Sequence, residues 1–225
     1  MIEYLIPQAS TYAADIDFVF SLVGWITGLW FVLTEGMFFF LLWRFRYREG
    51  VPAQYITGKE KHLKKWIDYP HMAIMVMDIA IIVAAVQVWY NVKQALPEET
   101  ESERVRIVAQ QWAWTFQHAG RDGVLGNEDD IYTVDELHVL KDKNYIYELE
   151  ARDVMHSFSV PVWRLKQDAI PGRVIVGWWN ATHAGEYDLQ CAEMCGIGHG
   201  IMGARVYVHT AEQYEAWLVL AEASK

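Results

Sequence analysis

Cysteine is scarce in this chain, and so is early positive charge. Only two cysteines occur among 225 residues, and both fall within CAEMCGIGHGIM, residues 191 to 202. No C-x-x-C-H is present, so these residues offer no covalent attachment site for a c-type haem. No Lys or Arg stands before Arg44. The apolar start therefore lacks the basic opening of a cleaved signal peptide, and no small-residue cleavage site follows a short apolar core. Internal repeats are missing, as are low-complexity tracts beyond the charged run PEETESER. Nor is there an excess of cations. The net charge is −10, which argues against a nucleic-acid partner, because a phosphate backbone demands Lys and Arg.

What is abundant is apolar surface, 53% of the residues. Phe18 to Trp43 is apolar apart from Ser, Thr and Glu35, and Met72 to Tyr90 apart from Asp78 and Gln87. Each run suits a membrane span, which needs roughly 20 apolar residues. Seven basic residues lie between Arg44 and Lys65, and the positive-inside rule keeps that linker, including EGVPAQYITGKEKHLKK, in the cytoplasm. Both termini then face outward. Pro70 is expected in the first turn of the second helix, where its missing N–H is harmless. A carboxylate facing lipid is expensive. Glu35 and Asp78 therefore call for a protein surface, as polar contacts at a helix interface or as part of a proton path, and the hairpin is expected to pack against a larger membrane subunit.

Charge divides the chain at the same place. Met1 to Pro97 carries eight basic and eight acidic residues, whereas Glu98 to Lys225 carries eleven and twenty-one. The division predicted is 1–96 as a transmembrane hairpin and 97–225 as an exported domain. Its acidity serves solubility and equally suits a basic protein partner drawn in by long-range attraction. After PEETESER come RVRIVAQQWAWTFQ, TVDELHVL, NYIYELEAR, HSFSVPVW, RVIVGWWN, GEYDLQ and ARVYVH. These are short runs of β-branched and aromatic residues separated by turn formers. So many strands without helices between them imply a sandwich or barrel. The acidic segment 120–130, GRDGVLGNEDD, lacks the alternating ligand order of an EF-hand and reads as a surface loop. Thr210 and Gln213 have the spacing of a capping box at the start of a C-terminal helix.

The two cysteines admit three readings. A disulfide between Cys191 and Cys195 closes a tiny loop and removes little chain entropy. A redox dithiol usually has two residues between its cysteines and sits in an α/β setting; here three intervene in a β setting. Copper explains more, since it accepts thiolate, thioether and imidazole. Cys191, Cys195, His199 and Met202 offer those atoms at spacings of four, four and three. Two thiolates can bridge two ions, and each ion then needs a further strong ligand, so a second histidine must come from elsewhere. His156, at the start of a strand after Asp153, is a candidate. His62 and His71 flank the membrane, and His118, His138, His183 and His209 have surface or hydrogen-bonded roles as their default.

Four segments, C-A-E-M-C-G-I-G-H-G-I-M, D-V-M-H-S-F-S-V-P, L-K-Q-D-A-I-P-G-R and Q-W-A-W-T-F, resemble subunit II of the haem–copper cytochrome c oxidases along nearly the full chain. The resemblance implies a two-helix transmembrane hairpin followed by an all-β cupredoxin-like Greek-key barrel that holds a binuclear CuA copper centre. It implies Cys191 and Cys195 as bridging thiolates, His156 and His199 as one imidazole for each copper, Met202 as a thioether ligand and the Glu193 carbonyl as a weak one. The Glu193 carboxylate would reach a magnesium or manganese ion shared with subunit I. Trp112 resembles the aromatic residue through which electrons enter, with Trp114 left as core. Asp153, Glu186 and Asp188 would help form an acidic docking face. Met194 and Ile197 are expected to line the site with apolar surface.

The resemblance further implies a haem-containing subunit I as partner, a soluble basic donor such as cytochrome c, and reduction of dioxygen to water with proton pumping. The setting would be a bacterial plasma membrane with the copper domain on its outer side. One departure concerns the proton entrance. The family often has Glu three residues before the Trp that opens the second span, whereas this chain has Leu63 there, leaving Glu60 or Asp68 as substitutes. A nitric oxide reductase with the same copper subunit is the neighbouring reading, and a free-standing copper-storage or copper-delivery protein is the more distant one. The intramembrane acids argue against the latter.

Overall fold

The computed structural model describes residues 2–52 and 57–224. Of the expected cytoplasmic linker, residues 53–56 lie outside the described residues. The chain divides into one compact unit of Met1–Asp17 with Trp89–Lys225 and a second of Phe18–Val88.

The second unit is helical. Helix α1 spans Ala13–Arg44 and α2 spans Lys61–Trp89. At 1.5 Å per residue their 32 and 29 residues exceed the ~30 Å of a bilayer core. Both are long and apolar enough to cross a membrane, and almost none of their apolar surface is buried. The rest of the chain leaves these side chains uncovered. The Trp30 indole N–H donates to Met77 Sδ at 2.8 Å, tying α1 to α2. The expected placing of Pro70 is corrected: α2 begins nine residues earlier, so Pro70 lies inside the helix. The basic run around Lys64 and Lys65 is helical rather than a linker, since nothing in KHLKK breaks a helix and lysine propagates one.

The other unit is a β-sandwich. Its strands are β1 Ser102–Gln110, β2 Ala113–His118, β3 Ile131–Val134, β4 Glu136–Leu140, β5 Asn144–Ala151, β6 His156–Val160, β7 Leu165–Ala169, β8 Ile175–Asn180, β9 Gly185–Cys191 and β10 Gly203–His209. One sheet runs β3-β2-β1-β5-β8 and the other β4-β10-β9-β6-β7. Strands β1/β5 and β4/β10 pair in parallel. Period-two alternation shows in β10, where Ala204, Val206 and Val208 turn inward. Val105, Ile107, Trp114 and Phe116 from one sheet share a core with Leu137, Val139, Phe158 and Val206 from the other. Two expected strands are each divided. The run from Arg104 turns at Gln111–Trp112, and the run from Thr133 breaks at Asp135, which takes a φ of 56°. Strand β7 was not foreseen; its LKQDA has little β character and is held by pairing with β6.

The N-terminal segment also joins this unit, for which the sequence carries no signal. Ala9 and Thr11 donate N–H bonds to Val162 and Asn180. Arg164 forks onto Asp17, with Nε to Oδ1 at 2.7 Å and Nη2 to Oδ2 at 2.8 Å, and also reaches the Ile6 and Pro7 carbonyls. Both partners are buried, so removing one strands the other without solvent. Arg164→Ala is expected to destabilise the unit by ~3–5 kcal/mol, measured by thermal unfolding of the full chain in detergent.

Helix α3, Ala211–Ala223, starts with the expected capping box: Thr210 Oγ1 accepts from Gln213 N, and Gln213 Oε1 from Thr210 N. It lays Trp217 against His138, ring centroids 4.5 Å apart, and His138 Nδ1 lies 2.9 Å from His209 Nε2. Burial, reinforced by His209, pushes His138 down to about 4, and burial pushes His118 down to about 3. These rings stay neutral in the folded chain but take protons near pH 6.5 when unfolded. Their stabilising effect is therefore complete above about pH 6.5 and declines as the pH falls toward about 4. Melting temperature should drop over that window, and less so in His138→Phe, which keeps the stack and removes the titration.

Candidate metal centre

The soft ligands converge because two strand ends and one loop meet at an end of the sandwich. Cys191 closes β9, and its N–H donates to the Met202 carbonyl at 3.1 Å, so the loop 192–202 is pinched shut before β10 begins. Ala192 N–H donates to the Ser157 carbonyl at 3.0 Å, which ties the loop to β6. His156 opens β6, fully buried against Trp114 and two residues before Phe158, which sits opposite Cys191.

The cysteines are free, with Sγ atoms 3.8 Å apart, far beyond the ~2.05 Å of a disulfide. That spacing suits a metal bonded to both, since metal–thiolate distances near 2.3 Å, as for zinc, span it with a bent angle. Ligand atoms of His156, Cys191 and Cys195 all lie within 4.8 Å of one another. The donors fall into two sets. Cys191 Sγ has His156 Nδ1 at 4.0 Å and the Glu193 carbonyl at 3.2 Å. Cys195 Sγ has His199 Nδ1 at 3.6 Å and Met202 Sδ at 3.7 Å. Two thiols, two imidazoles, a thioether and a carbonyl make the soft, mixed set that suits copper.

Electrostatics point the same way. Burial, with Cys191 beside it, pushes the Cys195 thiol up to about 11. A thiol held that high keeps its proton until a cation takes its place, so a metal must displace the Cys195 proton as it binds. Asp153 orients the ring of His156. Its Oδ1 accepts from His156 Nε2 at 2.8 Å and from Val154 N–H at 2.7 Å, and its Oδ2 from Gln111 N–H at 2.6 Å. Burial raises its carboxyl, but His156 and the two backbone donors outweigh that and hold it below the usual range. With Nε2–H committed to Asp153, Nδ1 turns its lone pair toward the sulfurs.

Trp112 is 38% exposed, and its indole N–H donates to the Cys195 carbonyl at 3.3 Å. It seats on glycine: a Cβ at Gly198 would lie 2.4 Å from the indole. Trp114 is fully buried in the core. Met194 and Ile197 do not line the site. They are 73% and 96% exposed, because with Cys191, Cys195 and Met202 turned inward these two side chains face out. Trp114 and Phe158 wall the site instead. Asp188 lies on β9 three residues from Cys191 and pairs with Arg205, while Glu186 is exposed further along that strand. The structure thus brings Asp153 to the centre and leaves these two farther off. Gln111 was not singled out from the sequence, where only its place in Q-W-A-W marks it.

Facing sheets with soft ligands at one end define a cupredoxin-like domain behind two apolar helices. The solved periplasmic domain of subunit II of cytochrome oxidase from Bradyrhizobium japonicum superposes with a TM-score of 0.51 at 22% identity, covering 58% of this chain and 99% of that one. Residues 104–208 match the family model for the periplasmic domain of cytochrome c oxidase subunit II. Alternative cytochrome c oxidase subunit 2 of Bradyrhizobium diazoefficiens is 33% identical over 227 residues, covering 90% of this chain and 79% of that protein. Cytochrome c oxidase subunit 2 of Cereibacter sphaeroides is 27% identical over 243 residues, covering 94% and 78%. The chain belongs to the cytochrome c oxidase subunit II family, and with its two apolar helices it is an inner-membrane protein.

The Gly198 seat is open to test. Gly198→Ala should displace the indole, read as a shift of the Trp112 resonance in 5-fluorotryptophan-labelled protein, with Trp112→Phe identifying the signal.

Proposed function

We propose that the chain is the electron-entry subunit of a cytochrome c oxidase. It takes electrons from a soluble basic donor such as cytochrome c onto a binuclear CuA centre and passes them to haem in subunit I, where dioxygen is reduced to water with proton pumping. The observation that carries this reading is the pairing of each sulfur with its own imidazole, His156 beside Cys191 and His199 beside Cys195. A single ion would need one such set; here there are two, sharing a pair of thiols. Met202 and the Glu193 carbonyl complete them, one on each side. When bound, a copper pair supplies a one-electron store shared over two thiolates, so little rearrangement accompanies transfer.

The chain's residues do the rest. Asp153 fixes the His156 tautomer, Trp114 and Phe158 exclude water, and Trp112 offers an exposed indole joined by one hydrogen bond to the residue that bears a bridging sulfur. The Glu193 carboxylate is the proposed ligand of a magnesium or manganese ion at the border with subunit I. The positive-inside rule puts the basic segment between the spans in the cytoplasm, and hence the copper domain on the outer side of a bacterial plasma membrane. The acidity of that domain favours a basic donor, with Asp153, Glu186 and Asp188 as the proposed docking acids. Near Leu63, Glu60 accepts from the Thr57 N–H and hydroxyl at the mouth of α2, and Asp68 is exposed about two turns on; either is proposed to replace the usual proton entrance.

The purified complex should contain two coppers per chain in this subunit and show a mixed-valence signal split by two equivalent nuclei. His156→Ala and Cys195→Ser should abolish that signal, while Trp112→Ala should leave it and slow donor oxidation. One copper per chain, or a Cys191–Cys195 disulfide in the active form, overturns the reading. Copper rather than non-haem iron in the partner's oxygen-reducing site separates an oxidase from a nitric oxide reductase.

A further inference from the structure

Beside the exposed indole stands a polar residue with two ties to the site, one from its backbone and one from its side chain. Gln111 occupies the two-residue turn between β1 and β2. Its backbone N–H donates to Asp153, whose other oxygen holds His156. Its side-chain Nε2 donates to the Cys195 carbonyl at 2.9 Å, and the neighbouring Trp112 indole N–H reaches the same oxygen at 3.3 Å. A carbonyl oxygen has two lone pairs, and these two donors occupy both.

We propose that Gln111 is a positioning residue for electron entry, its amide clamping the Cys195 carbonyl so that the Trp112 indole stays hydrogen-bonded to a residue whose sulfur would hold the copper. This rests on the copper reading above. The amide bond, at the usual N–H···O distance, is the stronger of the two, whereas the indole bond is long. Trp112 is also more than a third exposed, so water competes for its N–H wherever the carbonyl drifts. The loop is shaped for the approach. Gly196 takes a φ of +118°, and a Cβ there would lie 3.0 Å from the Gln111 amide nitrogen and 3.3 Å from the indole. Any other residue would push both donors away. Through its backbone the same turn is bound to Asp153 and thus to His156, so one hydrogen-bonded network joins the indole, the turn, His156 and the Cys195 carbonyl.

Gln111→Leu keeps the backbone N–H and much of the side-chain volume but removes the amide. In the purified complex it should retain two coppers and an unchanged hyperfine pattern. Reduction of the copper by reduced cytochrome c, followed by stopped flow, should slow by on the order of 10-fold, the scale set by displacements under 1 Å. Reduction by dithionite, a small reductant that does not need the indole, should stay at the wild-type rate. Added to Trp112→Phe, Gln111→Leu should slow the protein donor no further, because it acts through that indole. An unchanged rate with the protein donor, an equal loss with dithionite, an additive loss in the double variant or a lost copper would each overturn the assignment. Wild-type protein with one copper would instead overturn the copper reading itself.

Discussion

Two buried sulfur atoms held 3.8 Å apart impose the main constraint on this molecule. Ionised together and alone they would repel in a medium that screens poorly; joined to each other they would lose the spacing a metal needs. The surrounding structure prevents both closure and collapse. Cys191 is locked into the end of β9 and Cys195 is carried by the loop, so the strand ladder sets one position and the loop closure sets the other. Everything else at that end of the sandwich either supplies a further soft ligand or keeps those supplied in place.

The supports form a chain of their own. Asp153 aims the His156 ring, the β1–β2 turn binds Asp153 through its backbone, and the same turn returns through Gln111 and Trp112 to the Cys195 carbonyl. Such a closed circuit makes the site stiff where electron transfer benefits from stiffness. Its outer surface is different in character. Met194, Ile197 and Ile201 stand out from the loop into solvent, an apolar rim around a centre carried by an acidic domain.

Much of the fold was legible. The two apolar runs, the change to short alternating strands after PEETESER and the Thr210–Gln213 box each rest on local chemistry that tertiary contacts do not overturn. What was not legible came from long-range pairing. Arg104 to Gln117 reads as one strand because Val, Ile, Trp, Thr and Phe recur along it with no Gly, Pro, Asn or Asp to break it; only the partner sheets decide that it turns at Gln111. LKQDA is a strand because β6 needs a neighbour, and the N-terminal segment is anchored because Arg164, far along the chain, presents a fork to Asp17. In the same way Pro70 lies mid-helix because the residues before it, polar and basic, are good helix formers.

The site divides along the same line. The sequence by itself determined which atoms are available, since two cysteines, a histidine and a methionine within twelve residues already narrow the chemistry to soft metals. It also determined that the copper-binding half is acidic and that two apolar helices precede it. Only the tertiary structure decided the pairing of each imidazole with its sulfur, the tautomer of His156 and the outward turn of Met194 and Ile197. Residue type sets what a side chain can bond to, but direction and distance depend on which strands lie side by side, and that is settled by packing between residues far apart in the chain.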